Sequence, residues 1–168
     1  MSILVCGGAG YIGSHTCVEL LEAGYDIVVA DNLCNASEEA LRRVEKITGK
    51  KVPFVKAELC HEDEVEALFA RHPGIDAVIH FAGLKAVGES VAKPLEYYAN
   101  NLISTLCLLA AMRRHGVKNF VFSSSATVYG DPAAVPIRED SATGGTTNPY
   151  GTSKLFQEKM LMDICAAD

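Results

Sequence analysis

The chain has 168 residues, 49% of them hydrophobic, and a formal net charge of −6. The acidic balance argues against a nucleic-acid partner, and no run reaches the roughly 20 apolar residues of a membrane helix, so a membrane partner is not expected either. A chain of this length buries about two thirds of its unfolded surface. We therefore expect one domain over residues 1–168, without metal or disulfide support.

Apolar runs typical of strands alternate along the chain with helical patterns. The first run precedes Gly7, and the other predicted strands cover residues 26–30, 52–55, 76–81 and 119–124. The predicted helices cover 14–23, 37–48, a segment that begins at 62–66, 94–115, and a segment from 149 onward. Because the strands are nearly continuous apolar runs, the sequence predicts a doubly wound α/β fold, a parallel sheet covered by helices on both faces.

Two helix starts carry a capping signal. Asn35 and Glu38 have capping-box spacing before the second helix. Asn148 precedes Pro149, which suits an N-cap followed by proline at the first helical position. The segment between the fourth strand and helix 94–115, residues 82–89, is predicted to be a loop.

The six cysteines are scattered in apolar contexts, without a C-x-x-C pair or the spacing of metal ligands. We favour reduced thiols that serve mainly as small core residues, with redox chemistry as the alternative. Because the chain opens on a predicted strand, we expect no signal peptide before it and a cytoplasmic protein. The cysteines are Cys6, Cys17, Cys34, Cys60, Cys107 and Cys165.

A glycine-rich turn follows the first strand. Gly8, Gly10 and Gly13 satisfy G-x-G-x-x-G, and Gly7, Gly10 and Gly13 satisfy G-x-x-G-x-x-G, so a backbone can approach a pyrophosphate closely in either register. Asp31 ends the second strand at about the 20-residue offset of a ribose-binding acid. Its carboxylate would accept hydrogen bonds from a 2′-hydroxyl and repel a 2′-phosphate, which favours NAD over NADP. The alternative is a tight turn with an incidental acid.

Tyr150 and Lys154 are four residues apart and therefore share one helix face. A tyrosine with its ordinary pKa of about 10 is a poor base at neutral pH, and a nearby ammonium stabilises the phenolate. Ser123 and Ser125 belong to a serine cluster after the fifth strand, at the sheet edge where ligands bind. A serine there could hold a substrate oxygen against the tyrosine. The alternative is a solvated tyrosine–lysine pair.

These motifs, Gly7-x-x-Gly10-x-x-Gly13, Ser125 and Tyr150-x-x-x-Lys154, resemble the extended short-chain dehydrogenase/reductase family, whose fold is of the Rossmann type. Longer stretches resemble the members that epimerise UDP-hexoses at C4. They cover residues 10–17, 31–35, 78–90 and 122–130. The resemblance implies NAD as the cofactor, UDP-glucose and UDP-galactose as substrates, and a 4-keto intermediate. Dehydratases of the family carry an Asp-Glu pair where this chain has Ala126-Thr127, which disfavours dehydration.

The resemblance also assigns roles to single residues, and Glu58 stands where the family usually has aspartate at the adenine. The implied catalytic residues are Ser125, Tyr150 and Lys154, the implied substrate contacts are Lys85, Ser125 and Tyr150, and no metal is implied. For Asn100 and for His80 the alternative is a structural role in the interior. The implied cofactor contacts are Gly7, Gly10, Tyr11, Ile12, Gly13, Asp31, Asn32, Asn35, Glu58, Leu59, Phe81, Ala82, Gly83, Lys85, Asn100, Ser123, Tyr150 and Lys154.

Family members continue beyond this length with a smaller domain that grips the UDP-sugar. We therefore expect the chain to be the N-terminal part of such an enzyme, truncated before the substrate domain and with little activity alone. A non-catalytic NAD-binding module, or another sugar-nucleotide-modifying member of the family, is the alternative.

The resemblance further implies a homodimer through helices 94–115 and 150–166. Two apolar sets in helix 94–115 predict that more than one of its faces is buried. The first set is Leu95, Tyr98, Leu102, Leu106 and Leu109, and the second is Ile103, Leu108, Ala111 and Met112.

Overall fold

The computed structural model describes residues 1–167, and in them five strands form one parallel sheet in the order β3-β2-β1-β4-β5. The chain moves outward from β1 in one direction and then returns to continue on its other side, so the order reverses between β1 and β4. Ligands of open α/β sheets bind beside such a reversal. The strands are β1 (Ser2–Cys6), β2 (Asp26–Asp31), β3 (Phe54–Lys56), β4 (Ile75–His80) and β5 (Asn119–Phe122).

Helices cover both faces of this sheet, which confirms the predicted doubly wound fold. Alternate residues of β1 enter two different cores: Ile3 and Val5 pack with residues of α1 and α2, whereas Leu4 and Cys6 pack with residues of α3 and α5. The helices are α1 (Tyr11–Glu22), α2 (Glu38–Thr48), α3 (Glu62–Arg71), α4 (Val87–Ala92), α5 (Pro94–His115) and α6 (Pro149–Ala167), with a 3₁₀ turn over Ala126–Tyr129.

The chain forms two compact units. The first unit consists of Met1–Ala82 and Ser104–Ser123, and it holds the sheet, α1 to α3 and the second half of α5. The second unit consists of Gly83–Ile103 and the chain from Ser124 onward, and it holds α4, the first half of α5, the 3₁₀ turn and α6. The single domain expected over residues 1–168 stays a prediction.

Two helix starts differ from the sequence prediction. Helix α1 begins at Tyr11 rather than at residue 14, because Gly10 is its N-cap and accepts a hydrogen bond from the backbone N–H of Ser14 at 2.9 Å. The capping box of Asn35 and Glu38 is wrong, since Ser37 caps α2 and accepts from the backbone N–H of Glu39 at 3.3 Å. Helix α4 (Val87–Ala92) begins within the predicted loop over 82–89 and takes up its last three residues.

Three strands are also shifted or shorter. Strand β3 covers Phe54–Lys56 instead of 52–55, β4 covers Ile75–His80 instead of 76–81, and β5 ends at Phe122 instead of at residue 124. The Pro53 carbonyl accepts from the backbone N–H of Val29 at 2.8 Å, so residue 53 still joins β2 although it lies outside the assigned strand. None of the described helices combines the length and apolarity needed to cross a membrane.

All six cysteines lie within the described residues and are free thiols. Cys6 and Cys17 are fully buried, and burial raises the pKa of the Cys17 thiol to about 12 and that of Cys6 further. These two fit the predicted role as core residues. Cys34 and Cys165 are exposed and do not.

Candidate functional site

Two glycines allow the turn between β1 and α1 to pack tightly against neighbouring backbone. Gly7 has a φ of +78° and donates its N–H to the Ala30 carbonyl at 2.8 Å. A Cβ on Gly7 would lie 2.6 Å from the backbone nitrogen of Ala82, and one on Gly13 would lie 2.3 Å from the Gly7 carbonyl oxygen. Any side chain at either position would therefore force the turn apart.

Gly10 is less crowded than these two glycines. Among the described residues, a Cβ on Gly10 would approach only the Gly7 carbonyl oxygen, at 3.3 Å. No described side chain caps the first turn of α1, where Tyr11 and Ile12 are exposed. The N–H groups and positive dipole end of that turn suit an anion, and the missing Cβ lets it approach, so the site fits a pyrophosphate.

Asp31 joins this turn to the end of β2. Its carboxylate is buried, and Oδ2 accepts from the Ala9 N–H at 3.1 Å while Oδ1 accepts from the Leu33 N–H at 2.9 Å. An ionised carboxylate has about four acceptor positions, so two remain for the hydroxyls of a ribose. The predicted ribose acid thus also holds the glycine-rich turn in place.

Asn32 and Glu58 form a polar pair at the ends of β2 and β3. Asn32 Nδ2 donates to Glu58 Oε2 at 2.8 Å, and Asn32 Oδ1 accepts from the Cys34 N–H at 3.0 Å. Glu58 Oε1 accepts from the Cys60 N–H at 3.2 Å. Both side chains are therefore fixed before any ligand binds.

The remaining cofactor residues predicted in the first unit occupy several environments. Leu59 is buried in the core, so only its backbone can reach a ligand, whereas Asn35 is exposed. Phe81 and Ala82 donate their N–H groups to the Cys6 carbonyl at 2.8 and 3.0 Å, which places them beside the turn after β1.

His80 and Ser123 lie at the ends of neighbouring strands, where the Ser123 N–H donates to the His80 carbonyl at 3.2 Å. The His80 ring is fully buried, and its Nε2 lies 3.1 Å from Thr105 Oγ1. This environment supports the structural interpretation of His80.

In the second unit, Tyr150 and Lys154 lie on the first turns of α6. Asn148 Oδ1 accepts from the Gly151 N–H at 2.8 Å, so Asn148 caps the helix as predicted. Tyr150 is half-buried, but Lys154 is only 4% exposed, and burial lowers the pKa of its ammonium to about 8. A Cβ on Gly83 would lie 3.9 Å from Lys154 Nζ, so the loop after β4 passes beside this lysine.

Ser125 begins the 3₁₀ turn that packs on α6. Its Oγ accepts from the Thr127 N–H at 3.2 Å and from Thr127 Oγ1 at 2.9 Å, so its own proton can be donated to a substrate oxygen. A Cβ on Gly151 would lie 3.1 Å from Thr127, which shows how closely the turn approaches the helix. The preceding Ser124 is hydrogen-bonded to Glu158 on the same helix.

No sequence pattern points to Asn101, the buried polar centre of this unit. Its Nδ2 donates to the Leu84 carbonyl and to Ser153 Oγ, both at 3.0 Å, and its Oδ1 accepts from the Leu84 N–H at 2.8 Å and from Asn100 Nδ2 at 3.0 Å. Gln157 Nε2 donates to its carbonyl at 2.9 Å. These bonds tie the loop after β4 to α5 and α6, while the predicted Asn100 is half-buried beside this centre.

A second contact missed by sequence analysis holds the segment that carries Lys85, an exposed residue. The hydroxyl of the buried Tyr97 donates to Glu89 Oε2 at 2.8 Å and accepts from the Ala86 N–H at 3.1 Å. Glu89 also pairs with Lys93 at 3.0 Å. The buried phenol therefore fixes the backbone next to the predicted substrate lysine.

Comparison with known proteins places these features in a family. The model of the NAD dependent epimerase/dehydratase family matches residues 3–168. The chain belongs to this family. The resemblance drawn from the glycine-rich turn and Tyr150-x-x-x-Lys154 is thereby confirmed, and individual relatives carry the enzyme name that the longer stretches indicated.

UDP-glucose 4-epimerase of Bacillus subtilis is 61% identical over 168 residues, which are 100% of this chain and 49% of the relative. The human enzyme of the same name is 56% identical over 172 residues, covering 99% of this chain and 49% of its own length. A solved UDP-glucose 4-epimerase of Bifidobacterium longum, in complex with NAD+ and UDP, has a TM-score of 0.98 and 60% identity, covering 100% of this chain and 50% of that chain. The chain spans about half the length of the curated relatives it matches.

Proposed function

We propose that the chain binds NAD and carries the proton-transfer residues of a UDP-glucose 4-epimerase. The observation that carries this proposal is the pair on α6, in which the buried ammonium of Lys154 lies one helical turn from Tyr150. The relatives that match the whole chain under that enzyme name support it. A non-catalytic NAD-binding module is the second candidate, supported by the glycine-rich turn and Asp31, which lie together in the first unit.

For the cofactor, the turn of Gly7, Gly10 and Gly13 with the first turn of α1 would hold the pyrophosphate, and Asp31 would accept the ribose hydroxyls. The acid would repel a 2′-phosphate, so the cofactor is NAD rather than NADP. When bound, NAD supplies the group that takes a hydride from C4 of the sugar and returns it.

For the substrate, Tyr150 removes the proton of the sugar 4-hydroxyl and later returns it. The positive charge of Lys154 stabilises the phenolate, and the proton of Ser125 Oγ is donated to the 4-oxygen. The exposed Lys85 is a further contact for the UDP-hexose. The sugar passes through a 4-keto form whose other face is then reduced. The overall reaction is therefore an isomerisation without net oxidation.

The chain of 168 residues is expected to bind NAD and to convert UDP-galactose slowly or undetectably. The family resemblance implies that most uridine and sugar contacts come from the part that longer relatives add, and without them the substrate is neither oriented nor shielded from water. Bound nucleotide is measured by NADH fluorescence titration, and turnover by a coupled UDP-galactose assay.

Turnover at the rate of a full-length relative, from a preparation whose intact mass matches these residues alone, would contradict the slow-turnover prediction. A chain that folds but binds no NADH would contradict the cofactor assignment. Turnover that appears once the chain is joined to the second half of a relative would separate the epimerase from the non-catalytic module.

The second unit leaves apolar side chains of α5 and α6 uncovered. Leu95 is 77% exposed and Met162 is 69% exposed, and the rings of Tyr98 and Phe156 stack at 6.2 Å between centroids. Of the second predicted apolar set on helix 94–115, Leu108, Ala111 and Met112 are buried. Ile103 is 43% exposed in the single chain. We propose that a second copy of the chain covers this surface, through helices 94–115 and 150–166.

Light scattering at micromolar concentration should then give twice the 18.0 kDa mass of the chain. Met162→Glu is expected to give monomers, because it places a charge in the apolar contact. Ile47→Glu on α2 is the matched control, since Ile47 is 65% exposed but lies outside the proposed contact. A monomeric native chain, or equal effects of the two substitutions, would argue against this interface.

A further inference from the structure

Two carboxylates follow neighbouring strands of the first unit. Asp31 ends β2 and is in register with Lys56 of β3, and the Ala57 N–H donates to the Asp31 carbonyl at 3.1 Å. Glu58 is the next residue along the chain. The strand pairing therefore places Glu58, which the resemblance assigns to the adenine, beside the segment that begins at Asp31, which would accept the ribose hydroxyls.

Asn32, the residue after Asp31, bonds to Glu58. The 2.8 Å bond from its Nδ2 to Glu58 Oε2 and the 3.0 Å bond to its Oδ1 from the Cys34 N–H fix which end of the amide faces which partner. The amide donor of Asn32 is thus turned toward a carboxylate. A ribose 2′-phosphate that used this donor would have to displace Glu58 from it.

The Glu58 carboxylate is held in place on its other side as well. Its Oε1 accepts from the Cys60 N–H at 3.2 Å, and its backbone N–H donates to Glu64 Oε2 at 2.8 Å. Glu64 in turn bonds to the His61 ring at 2.8 Å, so this imidazole faces a different acid. A negative charge fixed in this way cannot swing aside for an incoming anion.

We propose that Glu58 is a second specificity-determining residue of the nucleotide site, which excludes a ribose 2′-phosphate by its charge and by holding the amide donor of Asn32. This inference rests on the NAD site proposed above. Asp31 supplies the first negative charge against the 2′-phosphate and Glu58 supplies the second. Asp31 at the end of β2 and Glu58 after β3 then both contribute to the preference for NAD over NADP.

The test compares NADH and NADPH in fluorescence titrations of the 168-residue chain. Glu58→Gln keeps the length of the side chain and removes its charge, and it is expected to improve the Kd for NADPH relative to NADH by about fivefold at low salt, and by less as salt rises. Glu58→Asp keeps the charge and should leave the ratio within about twofold of the native value. Asp63→Asn, which removes an exposed acid five residues farther along the chain, is the matched control and should also leave it unchanged.

The outcomes separate this inference from the function on which it rests. A folded Glu58→Gln chain that binds NADH but keeps the native ratio overturns the role of Glu58 and leaves the NAD site supported. A native chain that binds neither nucleotide overturns both. If circular dichroism shows that Glu58→Gln does not fold, Glu58→Ala is used, and it must shift the ratio in the same direction for the inference to hold.

Discussion

Tyr150→Phe is expected to leave NAD bound and to lower kcat by about 10²- to 10⁴-fold, the usual contribution of a general base. The substitution removes only the hydroxyl that takes the proton of the sugar, so the ring still fills its half-buried position on α6. The activity is measured with the chain joined to the second half of the Bacillus subtilis relative, in which the native chain is expected to turn over UDP-galactose.

Tyr98→Phe is the matched control, because it removes a phenol from α5 and keeps the ring that stacks on Phe156. We expect it to retain most of the turnover. Native turnover in the Tyr150→Phe protein would rule out proton transfer by this tyrosine, and equal losses in both variants would point to packing instead.

Lys154→Met is expected to stabilise the nucleotide-free chain while it weakens NAD binding and turnover. Burial lowers the pKa of Lys154 from 10.5 to about 8. One pKa unit corresponds to about 1.4 kcal/mol, so the protonated lysine costs the folded chain about 3 kcal/mol at neutral pH. Methionine fills a similar volume without a charge. The same charge is what the phenolate needs, which is why function is lost.

The sign of the pH dependence follows from proton binding. The unfolded lysine holds its proton up to about pH 10.5, whereas the folded one releases it near pH 8, so the cost is fully present below pH 8 and disappears as the pH rises between these values. Urea unfolding at several pH values should show that the free energy of unfolding of Lys154→Met exceeds that of the native chain by less and less over this interval. Lys159→Met, on an exposed position of α6, is the control. A lower stability of Lys154→Met at pH 7, or a difference that does not change with pH, would contradict the account.

The order of strands and helices could be predicted because the apolar runs of a covered parallel sheet are continuous and each is closed by a turn signal. The errors lie where local preferences compete. Asn35 and Ser37 are both acceptable N-caps, and only the structure shows that Ser37 is used. Helix propensity did not predict the start of α1 at Tyr11, because Gly10 and Gly13 are poor helix formers.

Spacing alone predicted the glycine-rich turn, Asp31 and the pair on α6, because each is a local pattern along the chain. The polar bonds that position them join distant segments and could not be predicted in the same way. Asn32 meets Glu58 only through the pairing of β2 with β3, and Asn101 meets Ser153 across 52 positions of sequence. Asn100 and Asn101 are identical in type, so only packing shows which of them is fully buried.

Substitutions at the three glycines of the turn should also give two different phenotypes, loss of folded protein and loss of nucleotide binding. At Gly7 and Gly13 an added methyl group would meet backbone atoms at 2.6 and 2.3 Å, so replacements there should reduce the cellular abundance of the protein. Gly10 has a φ of −74°, which alanine also adopts, and a Cβ there would lie 3.3 Å from the Gly7 carbonyl oxygen, so alanine needs a shift of only a few tenths of an ångström. A library scored separately for abundance and for nucleotide capture would therefore find position 10 tolerant in the first selection and intolerant in the second.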